Sequence, residues 1–257
     1  MRFRRSLGAS TLLFVMLAAA ATPARAQLQS SPSPADSNDE APSFGQLFTR
    51  TLGNFGRLPS VDNLEWLTVG GAAALATHPA DADATRVLAN AGALHEPFKA
   101  GAFLGGGPFE LGAAFATYGV GRALHNGRAA RVGADLIQAQ LMAEALAFGV
   151  KQAARRPRPS GSGFSFPSGH TTVTFASATV LQQHFGWRIG IPAYAVASYV
   201  ATSRIQQRRH YLSDVAFAAA LGTIAGRTVT VSRRHGLAVR AAAAPGGAGV
   251  ALSWIRP

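Results

Sequence analysis

Lys151-Gln152-Ala153-Ala154-Arg155-Arg156-Pro157-Arg158-Pro159 opens the stretch that decides how this chain folds, and Pro167-Ser168-Gly169-His170-Thr171-Thr172-Val173 closes it. In the first segment an alanine-rich helix runs into prolines that stop it and leave cations at its end. In the second, a turn with Ser168 in the capping position feeds a new helix, whose first backbone amides are free to grip an anion. Ser168 can offer a hydroxyl, Gly169 lets the backbone approach a ligand closely, and His170 stands at the positive end of the helix. Taken singly, a basic helix end also reads as a solvated cap that complements the dipole, and the serine as an ordinary cap beside an incidental histidine.

A third cluster lies downstream: Ser203-Arg204, five residues, His210, three residues, Asp214. A spacing of four puts His210 and Asp214 on one helical face, where a carboxylate can fix the tautomer of an imidazole. A structural histidine and aspartate near a helix start would show the same spacing.

The three clusters together resemble the signature of the type 2 phosphatidic acid phosphatase and vanadium haloperoxidase superfamily: Lys, six residues, Arg-Pro; Pro-Ser-Gly-His; and Ser-Arg, five residues, His, three residues, Asp. Every position is filled, over Lys151 to Asp214, and the six-residue spacing selects Arg158 rather than Arg156. The resemblance implies catalytic roles for His210, His170 and Asp214, and substrate binding by Lys151, Arg158, Ser168, Gly169 and Arg204. His210 would attack phosphorus in line, Asp214 would hold its other nitrogen, and His170 would protonate the leaving oxygen and later activate water. Those roles imply an acid-leaning pH optimum, with His170 protonated and His210 neutral at the start. No cofactor or metal is implied, since three cations can themselves balance the equatorial oxygens of a transferring phosphoryl group. Arg155, Arg156, Arg208 and Arg209 are extra to the signature and read as a solvated face, while His78, His95, His125, His184 and His235 match no motif.

Outward from these clusters the periodicity is helical, with an all-α fold expected as a bundle of six helices: Leu64 to Thr77, Phe98 to Leu124, Ala134 to Ala153, His170 to Phe185, Ile189 to Arg204 and Ser213 to Val229. Gly105-Gly106-Gly107-Pro108 should break the second into two pieces. After Leu237 and Val239, the Pro245-Gly246-Gly247 turn and the alternation of Val250, Leu252 and Trp254 predict a small β-hairpin.

The organisation expected is a signal peptide over 1–26, a disordered linker over 27–43, a helical phosphatase domain over 44–230 and a hairpin tail over 231–257. The signal reading rests on the basic start at Arg2, Arg4 and Arg5, the apolar run from Leu12 to Ala21 and the small-residue site Ala24-Arg25-Ala26. An uncleaved anchor is the competing reading, since Ser6 to Ala24 carries no charge. Cleavage would lower the formal charge from +12 to +8. The linker is rich in Ser, Pro, Asp and Glu.

With no cysteine, disulfides, thiolate metal sites and cysteine nucleophiles are excluded. The strong basic balance suits an anionic partner. A phosphorylated small molecule or lipid is the expected one; nucleic acid is not implied, and contact with a membrane surface stays open. No internal segment reaches the roughly 20 apolar residues of a comfortable span, so a soluble or surface-bound body in the periplasm or cell envelope is expected. Three functions remain open: an exported phosphatase of soluble esters or lipid phosphates, a vanadate-dependent haloperoxidase, and a non-catalytic anion-binding envelope protein.

Overall fold

The computed structural model describes residues 41–231, 236–244 and 247–255. The leader, most of the linker and His235 lie outside the described residues. Within them the body is helical: α1 (Phe44–Phe55), α2 (Val61–Thr77), α3 (Asp81–Asn90), α4 (His95–Leu104), α5 (Gly107–Ala123), α6 (Gly127–Ala154), α7 (Gly169–Phe185), α8 (Trp187–Gln206) and α9 (Leu212–Thr230). The expectation of six helices is corrected by α1 and α3, which had not been anticipated, and by α4 and α5. These last two divide the expected Phe98–Leu124 segment at Gly105-Gly106, where its glycines and Pro108 had pointed to a break. Helix α3 begins with two aspartates in a polar ten-residue run, which offers little apolar repeat to read.

The C-terminal strands, β1 (Gly236–Ala244) and β2 (Gly247–Ile255), pair antiparallel from Gly236 opposite Ile255 to Ala244 opposite Gly247. No helix among the described residues is long and apolar enough to cross a membrane.

Two helices explain how the body is organised. The 28-residue α6 starts where Asn126 accepts a hydrogen bond from the Ala129 amide at 3.0 Å, and it ends at Arg155 in the left-handed region (φ 48°). The prolines that follow prevent it from resuming. Helix α7 has no polar face over its first three turns, since Thr171 to Val180 are all buried. It is the central helix, flanked by α6, α8 and α9. Its threonines and serine survive burial by bonding back to their own helix, as Thr172 Oγ1 does to the Ser168 carbonyl at 2.9 Å and Thr179 Oγ1 to that of Phe175 at 2.8 Å.

The core falls into two clusters. One joins α6 to α7 and α9 through Ile137, Met142, Val173, Val180, Ala225 and Val229. The other joins α3, α7, α8 and α9 through Leu88, Phe175, Ala201, Ile205 and Val215. Small residues bring the axes close: a Cβ on Gly222 of α9 would stand 2.2 Å from the Thr172 carbonyl oxygen of α7. Such packing fixes the ends of the helices relative to each other, and one end of the bundle collects the residues of the three sequence clusters.

Candidate active site

Four helix ends and two loops, α6–α7 and the α8–α9 loop that carries His210, meet at that pole. Lys151 lies in the last turn of α6, Ser168 to His170 at the start of α7, Arg204 in the last turn of α8, and Asp214 in the first turn of α9. Arg158 sits in the α6–α7 loop, its Nε donating to the Phe164 carbonyl at 3.1 Å. Two of the helices point their N-termini here, so their dipoles add to the cations in favouring an anion.

The predicted residues are brought together electrostatically. Lys151 feels Arg158, Glu144, Asp214 and Arg204, and burial followed by the neighbouring Arg158 charge draws its ammonium below the ordinary lysine range. Burial, then Arg209 and Arg158, lower the Arg204 guanidinium to about 10. Like charges gathered and half-buried in this way are poorly solvated by their surroundings, and an oxyanion is the partner that would relieve them. The Nε of Arg204 is buried with no hydrogen-bond partner, while one Nη donates to Gln207 Oε1 at 2.6 Å.

Ser168 caps α7, although its hydroxyl is more enclosed than the sequence suggests. The residue is fully buried, and its Oγ accepts from Thr171 Oγ1 at 3.0 Å and from the Thr171 amide at 3.4 Å. Its own proton is uncommitted in these bonds, so a donor role survives. Gly169 opens the helix; a Cβ there would sit 3.6 Å from a Glu144 carboxylate oxygen.

His210 is 2 % exposed, and its Nδ1 lies 2.6 Å from the Ser165 carbonyl and 3.8 Å from Asp214 Oδ2. A carbonyl can only accept, so Nδ1 carries the proton and Nε2 holds the lone pair. The short contact on Nδ1 is the Ser165 carbonyl, and the Asp214 carboxylate stands by the same nitrogen at ion-pair range, where it favours the same tautomer. Burial holds His210 below the usual imidazole range despite Asp214, which keeps it neutral.

His170 is likewise pushed down, to about 4, by burial first, then by Arg204 and His210, against a hydrogen bond to the Ala102 backbone. The expectation that it starts protonated fails for the unliganded pocket. An anion bound among the cations would oppose the second of these effects and so favour the protonated ring.

The Asp214 carboxylate is fully buried and accepts two hydrogen bonds that the spacing alone did not foresee. Its Oδ2 accepts from the Tyr211 amide at 2.8 Å, closing the first turn of α9, and its Oδ1 accepts from an Arg156 Nη at 2.8 Å. The same Arg156 also donates to Asp81 Oδ2 at 2.8 Å and lies over the Tyr211 ring at 4.1 Å. Reading Arg156 as solvated is thus overturned, and Asp81, Ser165, Gln207 and Arg156 are the site residues that the sequence analysis missed. Of the remaining histidines, His184 contacts Asp135 at 3.0 Å. Among the described residues no cluster of histidine, aspartate and glutamate could hold a metal ion.

The geometry can be set beside known proteins. Residues 133–235 match the PAP2 superfamily. A 75-residue stretch is 43% identical to a lipid A 1-phosphatase of Porphyromonas gingivalis, covering 28% of this chain and 17% of that protein. Another alignment, 37% identical over 98 residues, covers 34% of this chain and 54% of a decaprenylphosphoryl-5-phosphoribose phosphatase of Mycobacterium tuberculosis. The chain thus spans about half or less of the curated relatives it matches. The fold is that of a transmembrane PAP2 type phosphatidylglycerolphosphate phosphatase from Bacillus subtilis, with a TM-score of 0.54 and 20% identity over 74% of this chain and 94% of that one.

Proposed function

From the PAP2 superfamily domain that this chain carries, we propose that it is a metal-independent phosphatase working through a phosphohistidine. The observation that carries the reading is His210, its Nδ1–H held on the Ser165 carbonyl, presenting an Nε2 lone pair at a pole where Lys151, Arg158 and Arg204 gather. In the reaction, Nε2 bonds to phosphorus as the ester P–O bond breaks, and His170 gives its proton to the leaving oxygen. Water then attacks the phosphorus of the phosphohistidine, His170 takes back a proton, and phosphate leaves with His210 restored. The three cations and the Gly169 amide hold the equatorial oxygens, where charge spreads in the transition state.

Lipid phosphates are the favoured substrate class. Two relatives are named for phosphatase action on lipid A and on a decaprenylphosphoryl sugar. Exposed aromatic side chains near the pole suit an amphiphilic ligand: Phe103 follows Ala102, the residue bonded to His170, and Phe148 stands one turn before Lys151. We place the enzyme in the exported compartment, at the periplasmic or envelope surface, with residues 1–26 as its leader, 44–230 as the catalytic body and 231–257 as an appendage.

A phosphate-release panel of soluble esters and lipid phosphates tests both halves. Wild type should turn over at least one class with labelled phosphate trapped on histidine in an alkaline denaturing quench, where the P–N bond survives, and His210→Ala should lose both signals. Turnover by His210→Ala near the wild-type rate refutes the nucleophile, and a preference for soluble esters refutes the lipid assignment.

A further inference from the structure

Asp81 belongs to none of the sequence clusters and lies outside the matched region, yet it is tied to the pole by three hydrogen bonds. Its Oδ1 accepts from the Ser213 amide at 2.8 Å, and its Oδ2 from Ser213 Oγ at 2.6 Å and from Arg156 at 2.8 Å. Arg156 then reaches across to Asp214 at 2.8 Å, and Asp214 lies 3.8 Å from His210. The carboxylates are almost completely enclosed, at 7% and 0% side-chain exposure, and the guanidinium between them is 24% exposed. Two buried carboxylates therefore share one cation. A fork of donors spanning two acceptors is a geometry that a lysine cannot reproduce.

We propose that Asp81 and Arg156 are positioning residues that hold the Asp214 carboxylate against His210 and set how much of its charge the imidazole feels. The inference rests on the reading of His210 as the nucleophile. Were Arg156 bound to Asp214 alone, it would neutralise most of that charge; because Asp81 draws on the same guanidinium, part of the carboxylate's field is left for the ring. Ser213, bonded to both Asp81 and Arg156, locks the first turn of α9 in the register this requires. Lys151 of α6 and His170 of α7 act on His210 directly, while Arg158 of the α6–α7 loop and Arg204 of α8 act on the Lys151 beside it. None of them touches Asp81, so changes at Asp81 reach the ring through Arg156 and Asp214.

The test is a titration of the His210 ring by NMR in histidine-labelled full chain, with His210→Gln assigning the resonance. Asp81→Asn keeps the shape and deletes one negative charge. It should lower the titration midpoint of His210 by about half a pH unit or more, at an effective dielectric between those of water and the protein interior. Arg156→Gln should raise it, and the double variant should fall between the two. The acid limb of kcat/KM should move in the same directions, because it follows the free enzyme's base. A purely structural brace would lower activity without moving the two midpoints in opposite directions. If both single variants shift the same way, or Asp81→Asn leaves the midpoint in place, the inference is overturned. Should Arg156→Gln fail to fold by circular dichroism, a double variant titrating above Asp81→Asn supports it and one titrating at or below Asp81→Asn overturns it. Turnover by His210→Gln sinks the nucleophile reading instead, whatever the titrations show.

Discussion

Arg204 donates from one Nη to the Oε1 of Gln207 at 2.6 Å, and Gln207 Nε2 donates in turn to the Phe98 carbonyl at 3.0 Å. The glutamine thus ties the guanidinium of α8 to α4, while the buried Nε is left without a hydrogen-bond partner. Gln207→Leu should release the fork. A hydrogen bond to a charged group is worth about 1.5–3 kcal/mol, which predicts a rise in KM of about tenfold or more with a smaller change in kcat. Gln207→Glu should raise KM further, since a carboxylate would compete with the phosphate for Arg204. Steady-state kinetics check both, and an unchanged KM in the glutamate variant would remove Arg204 from substrate binding.

The histidine at the start of α7 gives a stability signature. His170 sits at about 4 in the folded chain against 6.5 for the free side chain. Its folded value is depressed, so between those limits the unfolded chain binds more protons. Stability from this group is complete above about 6.5 and is lost as pH falls toward 4. His170→Asn should flatten that part of the melting-temperature profile relative to wild type. Saturating phosphate should flatten it too, by restoring the proton in the folded state; equal slopes in wild type and variant would refute the burial of a neutral imidazole.

A carboxylate in the body shows the opposite sign. Glu110 of α5 accepts from Gln140 at 3.1 Å and Ser177 at 2.8 Å, and burial raises its carboxyl above the usual range. A raised folded value contributes stability at low pH that disappears as pH climbs through it. Glu110→Gln, which retains an acceptor for both donors, should therefore melt higher than wild type at pH 8 and show little or no advantage at pH 4.

What the sequence disclosed at the site, and what it hid, follows from the distance over which each signal acts. Lys151, Arg158, Ser168, Gly169, His170, Arg204, His210 and Asp214 sit at fixed spacings around helix boundaries, so a pattern of side chains was enough to collect them. Ser165 acts through its backbone carbonyl, to which residue type is blind. Arg156 looks like any arginine at a frayed helix end until Asp81, 75 positions away, is folded against it. The helices show the same division. Helices α6 to α9 are long runs rich in apolar residues, whereas α1 and α3 are short helices of about three turns, stabilised chiefly by what they pack on.

Two glycines separate the requirements of the fold from those of the site. At Gly222 a Cβ would meet the Thr172 carbonyl oxygen at 2.2 Å and Phe175 Cβ at 2.8 Å, both on the central helix. A helix backbone oxygen cannot rotate aside, so α7 and α9 must separate, and overpacking of this kind costs about 1–3 kcal/mol or more. At Gly105, after α4, the first obstacle is Val200 Cγ1 at 2.5 Å, which can change rotamer, followed by the Gly101 carbonyl oxygen and His170 Cβ, each at 3.3 Å. Relief there displaces the histidine proposed to protonate the leaving group, by a few tenths of an ångström. Gly222→Ala should therefore lower the melting temperature by several degrees while the surviving folded enzyme keeps a near-normal kcat, and Gly105→Ala should melt closer to wild type with kcat reduced about tenfold, as misplacement of a catalytic group predicts. Calorimetry and kinetics on the same preparations measure both axes. If Gly105→Ala loses melting temperature and keeps its kcat, the close contact of α4 with His170 serves packing alone, and the proton-transfer role assigned to that histidine loses its positional argument.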